Sequence, residues 1–101
     1  MFLDTCELSA LESSSLVKKA LKDALILIEK GWCKRYGDGE IRFCPVEAIY
    51  RVTPELHFSE VYNAIVKHMP PHWMTLIAYN DAKETTKADI IGLFLKAIEN
   101  A

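Results

Sequence analysis

No apolar run in this sequence approaches the roughly 18 residues that a bilayer-spanning helix needs. The longest, Ala24-Leu25-Ile26-Leu27-Ile28, is closed by Lys22-Asp23 on one side and Glu29-Lys30 on the other. Met1-Phe2-Leu3-Asp4 has neither the basic start nor the apolar core of a secretory leader. Cysteine is scarce and odd in number: Cys6, Cys33 and Cys44 predict reduced cytoplasmic thiols rather than a secreted disulfide framework. Four glycines and four prolines against a 50% hydrophobic content exclude a disordered or collagen-like chain. There is no excess of either charge, the formal net being −2, and Lys18, Lys19, Lys22 and Lys34-Arg35 are offset by nearby acids. A basic field for nucleic acid is therefore not expected. Also missing are a Gly-rich phosphate loop, a nucleophile elbow, and a close C-x-x-C pair.

What is present is helical periodicity. At about 100° per residue, Leu16, Val17, Ala20, Leu21, Ala24, Leu25, Leu27 and Ile28 fill one half of a helix over 16–30. Ser15 is its expected cap and Gly31 its expected stop. Residues 4–12 read as a separate short leading helix. Ile26 breaks the pattern, falling within the polar arc between Lys22 and Lys30, and is a candidate subunit contact.

Trp32 to Tyr36 and Glu40 to Phe43 flank Gly37-Asp38-Gly39, which predicts a β-hairpin over about 32–43. Pro45 suits a first helical position and leads into Val46, Ala48, Ile49 and Val52. Thr53-Pro54 reads as another cap and start, opening a helix that buries Phe58, Val61, Tyr62, Ile65, Val66 and Met69 and stops at Pro70-Pro71. The run 72–79 fits helix better than strand. Asn80-Asp81 and Lys83-Glu84 make a polar break, and Thr86 with Asp89 forms a capping box for a last helix over 87–100. The fold expectation is mainly α: one domain over 1–101, a compact bundle of four to five helices with one short β-hairpin after the first long helix.

The order Gly31-Trp32, a charged turn, Cys44, Ala48-Ile49, Asn80-Asp81 and a Thr86-headed terminal helix resembles a group of small bacterial and phage-associated proteins of unknown function. Their pattern is G-W … C-x-x-G-A-[LI] … W-N-D … R-T-x-x-[ED]-V-[IL], and the likeness spans roughly residues 16 to 101. This chain departs from it at Glu47, at Tyr79 in place of Trp, and at Thr85 in place of Arg; its segment 54–71 is also longer than the usual connection. The resemblance implies a fold and carries no activity.

Three groups of residues are candidates for chemistry. Cys44, just before Pro45, adjoins a helix N-terminus, where a thiolate is favoured, and would need a base from His57, His68 or His72. Its alternative is a buried apolar thiol. Cys33, Cys44 and His57, or His57 with Glu60, are the candidate metal sets; with no C-x-x-C pair, no metal or cofactor is expected. Asn80, Asp81 and Thr86 combine amide, carboxylate and hydroxyl, with Asp81 a candidate general base, yet turn and cap duties account for the same types. Trp32, Tyr36, Tyr50 and Trp73 would line a pocket or a partner surface, or else belong to the core.

The expected function is a non-enzymatic module contacting a protein partner through the hairpin and adjoining helix, or self-associating as a homodimer through Ile26. Neither nucleic acid nor membrane is expected as a partner. Two alternatives stand beside it. One is a thiol-dependent enzyme or redox sensor using Cys44 with a histidine. The other is a small-ligand domain with a cleft bounded by Trp32, Cys44, Trp73 and Asp81.

Overall fold

The computed structural model describes the backbone of residues 5–34 and 42–101, with side chains from Ser15 onward. Helix α1 runs Thr5–Lys30, α2 Pro45–Val52, α3 Phe58–Val66, α4 Leu76–Asp81 and α5 Lys87–Glu99. A 3₁₀ turn, Glu55–His57, leads into α3. Among the described residues no helix is long and apolar enough to cross a membrane.

Helix α1 is the spine, and α2, α3 and α5 all pack against it. Its 26 residues, about 39 Å at the usual rise, are continuous. The expected separate leading helix and the Ser15 cap are therefore corrected. Ser13-Ser14-Ser15 contains no glycine or proline, and serine in a helix interior is only mildly unfavourable. Ala20, Leu21, Ala24, Leu25 and Ile28 form its buried stripe. Residues Ile49, Val61, Ile65, Leu76, Ile90, Leu93, Phe94 and Ala97 close the core from the other helices.

The termini show why the helices start where they do. Pro45 is the first residue of α2, where its missing amide hydrogen costs nothing, and Cys44 stands before it in extended backbone. The capping box of α5 is as expected: the Asp89 amide donates to Thr86 Oγ1 at 3.2 Å, and the Thr86 amide to Asp89 Oδ2 at 2.9 Å. Helix α4 occupies only the second half of the run expected to be helical. Its cap is Thr75, whose hydroxyl accepts from the Ala78 amide at 3.0 Å.

Two further expectations are corrected. Thr53 does not cap a following helix but ends α2, its amide donating to Ile49 O at 3.0 Å. Pro54 forces the preceding residue into extended backbone, so Thr53 must leave the helix there. The other is the β-hairpin. Among its described residues there is no strand, only one isolated bridge between Trp32 and Phe43, and it is parallel. Phe43 donates to Gly31 O at 2.7 Å and accepts from the Cys33 amide at 3.2 Å, a pattern that an antiparallel hairpin would not make. The expected turn at Gly37-Asp38-Gly39 lies outside the described residues. Phe43 is turned into the core, and Cys44 already begins the approach to α2.

Candidate functional site

The segment 32–34 that follows α1 is pinned to α4 and the residues just after it by contacts far apart in sequence. Trp32 Nε1 donates to Asn80 Oδ1 at 2.7 Å, across a separation of 48 residues. Asn80 Nδ2 donates in turn to Cys33 O at 3.1 Å. Asn80 is 1% exposed, so both ends of its amide are spent on the segment 31–33. Lys34 then donates from Nζ to the carbonyls of Ala82 and Lys83, satisfying acceptors just past the end of α4. Lys87 does the same for α1, reaching Glu29 O at 2.8 Å.

Asn80 is thus not the polar break expected of it. It lies within α4 and is buried, because the indole N–H and the Cys33 carbonyl supply the partners that make burial of an amide tolerable. Asp81 follows as the last residue of the helix and is half-buried. Trp73 sits before α4, half-buried, its ring 6.1 Å from Tyr79 and 5.0 Å from His72. Tyr36 lies outside the described residues. Of the aromatic and polar candidates, the structure unites Trp32 with Asn80 and places Trp73 beside Tyr79.

Cys44 stands at the N-cap of α2 but makes no capping hydrogen bond with its side chain. Burial raises its thiol from 9.0 to about 11; the Glu47 and Val46 amides pull it down by less, and the Glu47 carboxylate adds to the rise. At neutral pH it is protonated, so the helix end does not produce a thiolate. The consequence for stability has a definite sign. Above pH 9 an unfolded chain releases this proton while the folded chain keeps it, so stability falls as pH rises from 9.0 towards 11. The expected loss is about 2 kcal/mol, and Cys44→Ala should flatten that part of the curve. Urea midpoints at successive alkaline pH values check it. The Tyr79 phenol, raised by its own burial and by Asp89, contributes a slope of the same sign that the variant retains.

His57 lies in the 3₁₀ turn with Nδ1 3.3 Å from Glu60 Oε1. Cys33 and Cys44 are not joined by a disulfide. Among the described residues no group of three or more His, Cys, Asp or Glu side chains is placed to hold a metal ion.

Sequence periodicity assigned Phe58 and Tyr62 to the core, but both are only half-buried. Tyr50, on the outer side of α2, stacks on Phe58 at 4.2 Å between ring centroids and 20° between planes. Phe58 stacks on Tyr62 at 5.8 Å, and the Tyr62 hydroxyl accepts weakly from the Leu76 amide at 3.4 Å. The result is a tier of three rings running from α2 across α3 to the start of α4. Leu56 at 86% exposure, Met74 at 91% and Tyr50 at 62% carry large apolar side chains in the elements that bear or adjoin it. The only signal in the sequence is Leu56, an apolar residue inside Glu55-Leu56-His57 with no helical face to join.

Residues 13–100 match the family of unknown function DUF6197. The chain belongs to that family. No curated protein and no solved structure matches it. In this DUF6197 chain the matched stretch takes in both halves of the clamp, Trp32 and Asn80, and the whole ring tier.

Proposed function

We propose that this DUF6197 chain is a non-enzymatic protein-interaction module whose contact surface is the Tyr50–Phe58–Tyr62 tier with Leu56. One observation carries the reading: a stacked aromatic ladder left partly open to solvent beside a leucine that is 86% exposed. Rings held by stacking lose little side-chain entropy on contact, and aromatic anchors are enriched at the centres of protein interfaces. Helix α2 follows directly on the turn expected to carry contacts, so this is the helix surface adjoining it.

The Gly31-Trp32 and Asn80-Asp81 elements have a structural role. They form the clamp that fixes the approach to α2 against α4. Thiol chemistry at Cys44 is the weaker reading, since its sulfur is buried and protonated at neutral pH. Self-association through Ile26, which is 50% exposed on α1, is a separate form of the same module.

The double variant Tyr50→Ser, Leu56→Ser tests the surface while sparing the buried core. Native affinity capture and light scattering are expected to show a partner, or a second copy, held by the wild type and lost from the variant at unchanged helical content. Identical captured proteins and identical mass in both chains would exclude this surface. Ile26→Asp separates the two forms: it should abolish only a dimer formed through α1.

A further inference from the structure

The bridge between Trp32 and Phe43 has a register, and that register brings two cysteines together. The Phe43 amide donates to Gly31 O at 2.7 Å and the Cys33 amide to Phe43 O at 3.2 Å, so Trp32 lies opposite Phe43 in parallel sense. One position further along each segment stand Cys33 and Cys44. Cys44 keeps an extended backbone, φ −80° and ψ 162°, and so continues the line of Phe43 before α2 begins. Side chains alternate between faces along extended chain, so the pair that follows Trp32 and Phe43 shares one face.

Covalent geometry limits their separation. The 3.2 Å bond ends on a carbonyl joined to Cys44 through one peptide unit, which holds the two Cα atoms no more than about 7 Å apart. Residues in register across a ladder are about 5 Å apart. A disulfide needs a Cα separation of about 4.4–6.8 Å, so no large backbone movement is required to join this pair. Both thiols are reduced in this structure. Cys33 is half-buried, within reach of a small oxidant, whereas Cys44 is 7% exposed.

We propose that Cys33 and Cys44 form a reversible intramolecular disulfide, a redox-controlled tie between the exit of α1 and the start of α2. The bond closes the ten residues between them into a covalent loop. The oxidant is a low-molecular-weight disulfide such as oxidised glutathione. Cys33 gives up its proton, attacks one glutathione sulfur and expels the other glutathione, leaving a mixed disulfide. Cys44 then gives up its proton, attacks Cys33 Sγ and expels the second glutathione. Two protein thiols are oxidised, one glutathione disulfide is reduced to two thiols, and the two protons pass to the departing sulfurs. Because Cys44 is protonated at neutral pH, the reduced chain lacks the thiolate stabilisation that makes a disulfide strongly oxidising. In a reducing compartment such a bond is transient, as a redox signal must be. The tie is separate from the ring tier and stands whether or not that surface binds protein.

Glutathione redox buffers test it on the full-length chain carrying Cys6→Ser, which leaves only these two thiols. After acid quench and alkylation, mass spectrometry should show one two-electron transition from a doubly alkylated chain to an unalkylated monomer. Digestion should then yield a Cys33–Cys44 cross-linked peptide, and dithiothreitol should reverse the change. Because the fold holds the sulfurs together, the native chain should close under conditions at least about tenfold more reducing than the same chain in urea. By linkage the oxidised form should melt about 10 °C above the reduced one. The unsubstituted chain in the same buffers should give the same cross-link, which guards against a Cys6 variant that folds poorly. Arrest at the mixed disulfide, cross-links only between chains, or a native advantage short of that margin overturns the proposal.

Discussion

Replacing Asn80 by alanine is expected to destabilise the fold by about 3 kcal/mol, because two partners lose their bonds at once. The Trp32 indole N–H and the Cys33 carbonyl both depend on this one side chain. The vacated volume adds a cavity term in a helix whose neighbouring Leu76 is fully buried. On a domain of this size the change should lower the melting temperature by about 15 °C. Asn80→Asp is informative beside it: the carboxylate still accepts from Trp32, but it offers no donor to Cys33 O and buries a charge. It should be at least as damaging. Trp32→Phe removes the donor but keeps most of the ring, and should lose less, about 1–2 kcal/mol. A double-mutant cycle between positions 32 and 80 should return a coupling of about 1 kcal/mol or more. Additivity would mean that the 2.7 Å bond contributes nothing to stability.

The largest single loss should come from Phe94→Ala, about 4 kcal/mol. Phe94 is the largest of the fully buried side chains and lies in α5, which packs on α1 and α3. Deleting its ring leaves a void between three helices that cannot all move inward together, so little of the cavity closes. Whole-domain stability is only about 5–15 kcal/mol, so this variant should be near unfolding at body temperature. Leu95→Ala is the control next in sequence. Leu95 is exposed, and its loss should cost under about 0.5 kcal/mol. Denaturant curves for the two should differ in midpoint by nearly the full core effect; similar curves would mean that α5 is not packed as described.

That contrast between neighbours also marks what periodicity could and could not reveal. The wheel of α5 offered Ile90, Ile91, Leu93, Phe94, Leu95, Ala97 and Ile98 as one broad face, of which Ile90, Leu93, Phe94 and Ala97 are buried. Which half of a wide apolar arc faces inward depends on where α1 and α3 lie, and no local pattern contains that. The same holds for Phe58 and Tyr62. Their spacing matches Val61 and Ile65, but they fall towards the open edge, where Tyr50 meets them.

Local chemistry, by contrast, was readable directly. Thr86 with Asp89 and Pro45 after Cys44 are decided by groups within a few residues of one another, so short sequence contains the whole interaction. The failures of local reading have physical causes. Ser15 reads as a cap, yet serine costs a helix interior little, so α1 runs straight through it. A Gly-Asp-Gly turn between two β-prone runs implies antiparallel pairing. The described ends, Trp32 and Phe43, instead meet in a single parallel bridge, while the Trp32 side chain goes to Asn80 and Phe43 to the core.

Sequence alone determined a mainly helical fold, the start and capping box of its last helix, and the lack of any membrane-crossing helix among the described residues. These follow from propensity, capping and hydrophobic spacing, which act within one or two turns of chain. Tertiary structure decided the rest. It brought Trp32 to Asn80, raised the Cys44 thiol by burying it, stacked Tyr50 on Phe58, and left the Thr53 hydroxyl without a partner. Each of those depends on which distant segment fills the neighbouring space, and desolvation and pairing have no value until that neighbour is in place.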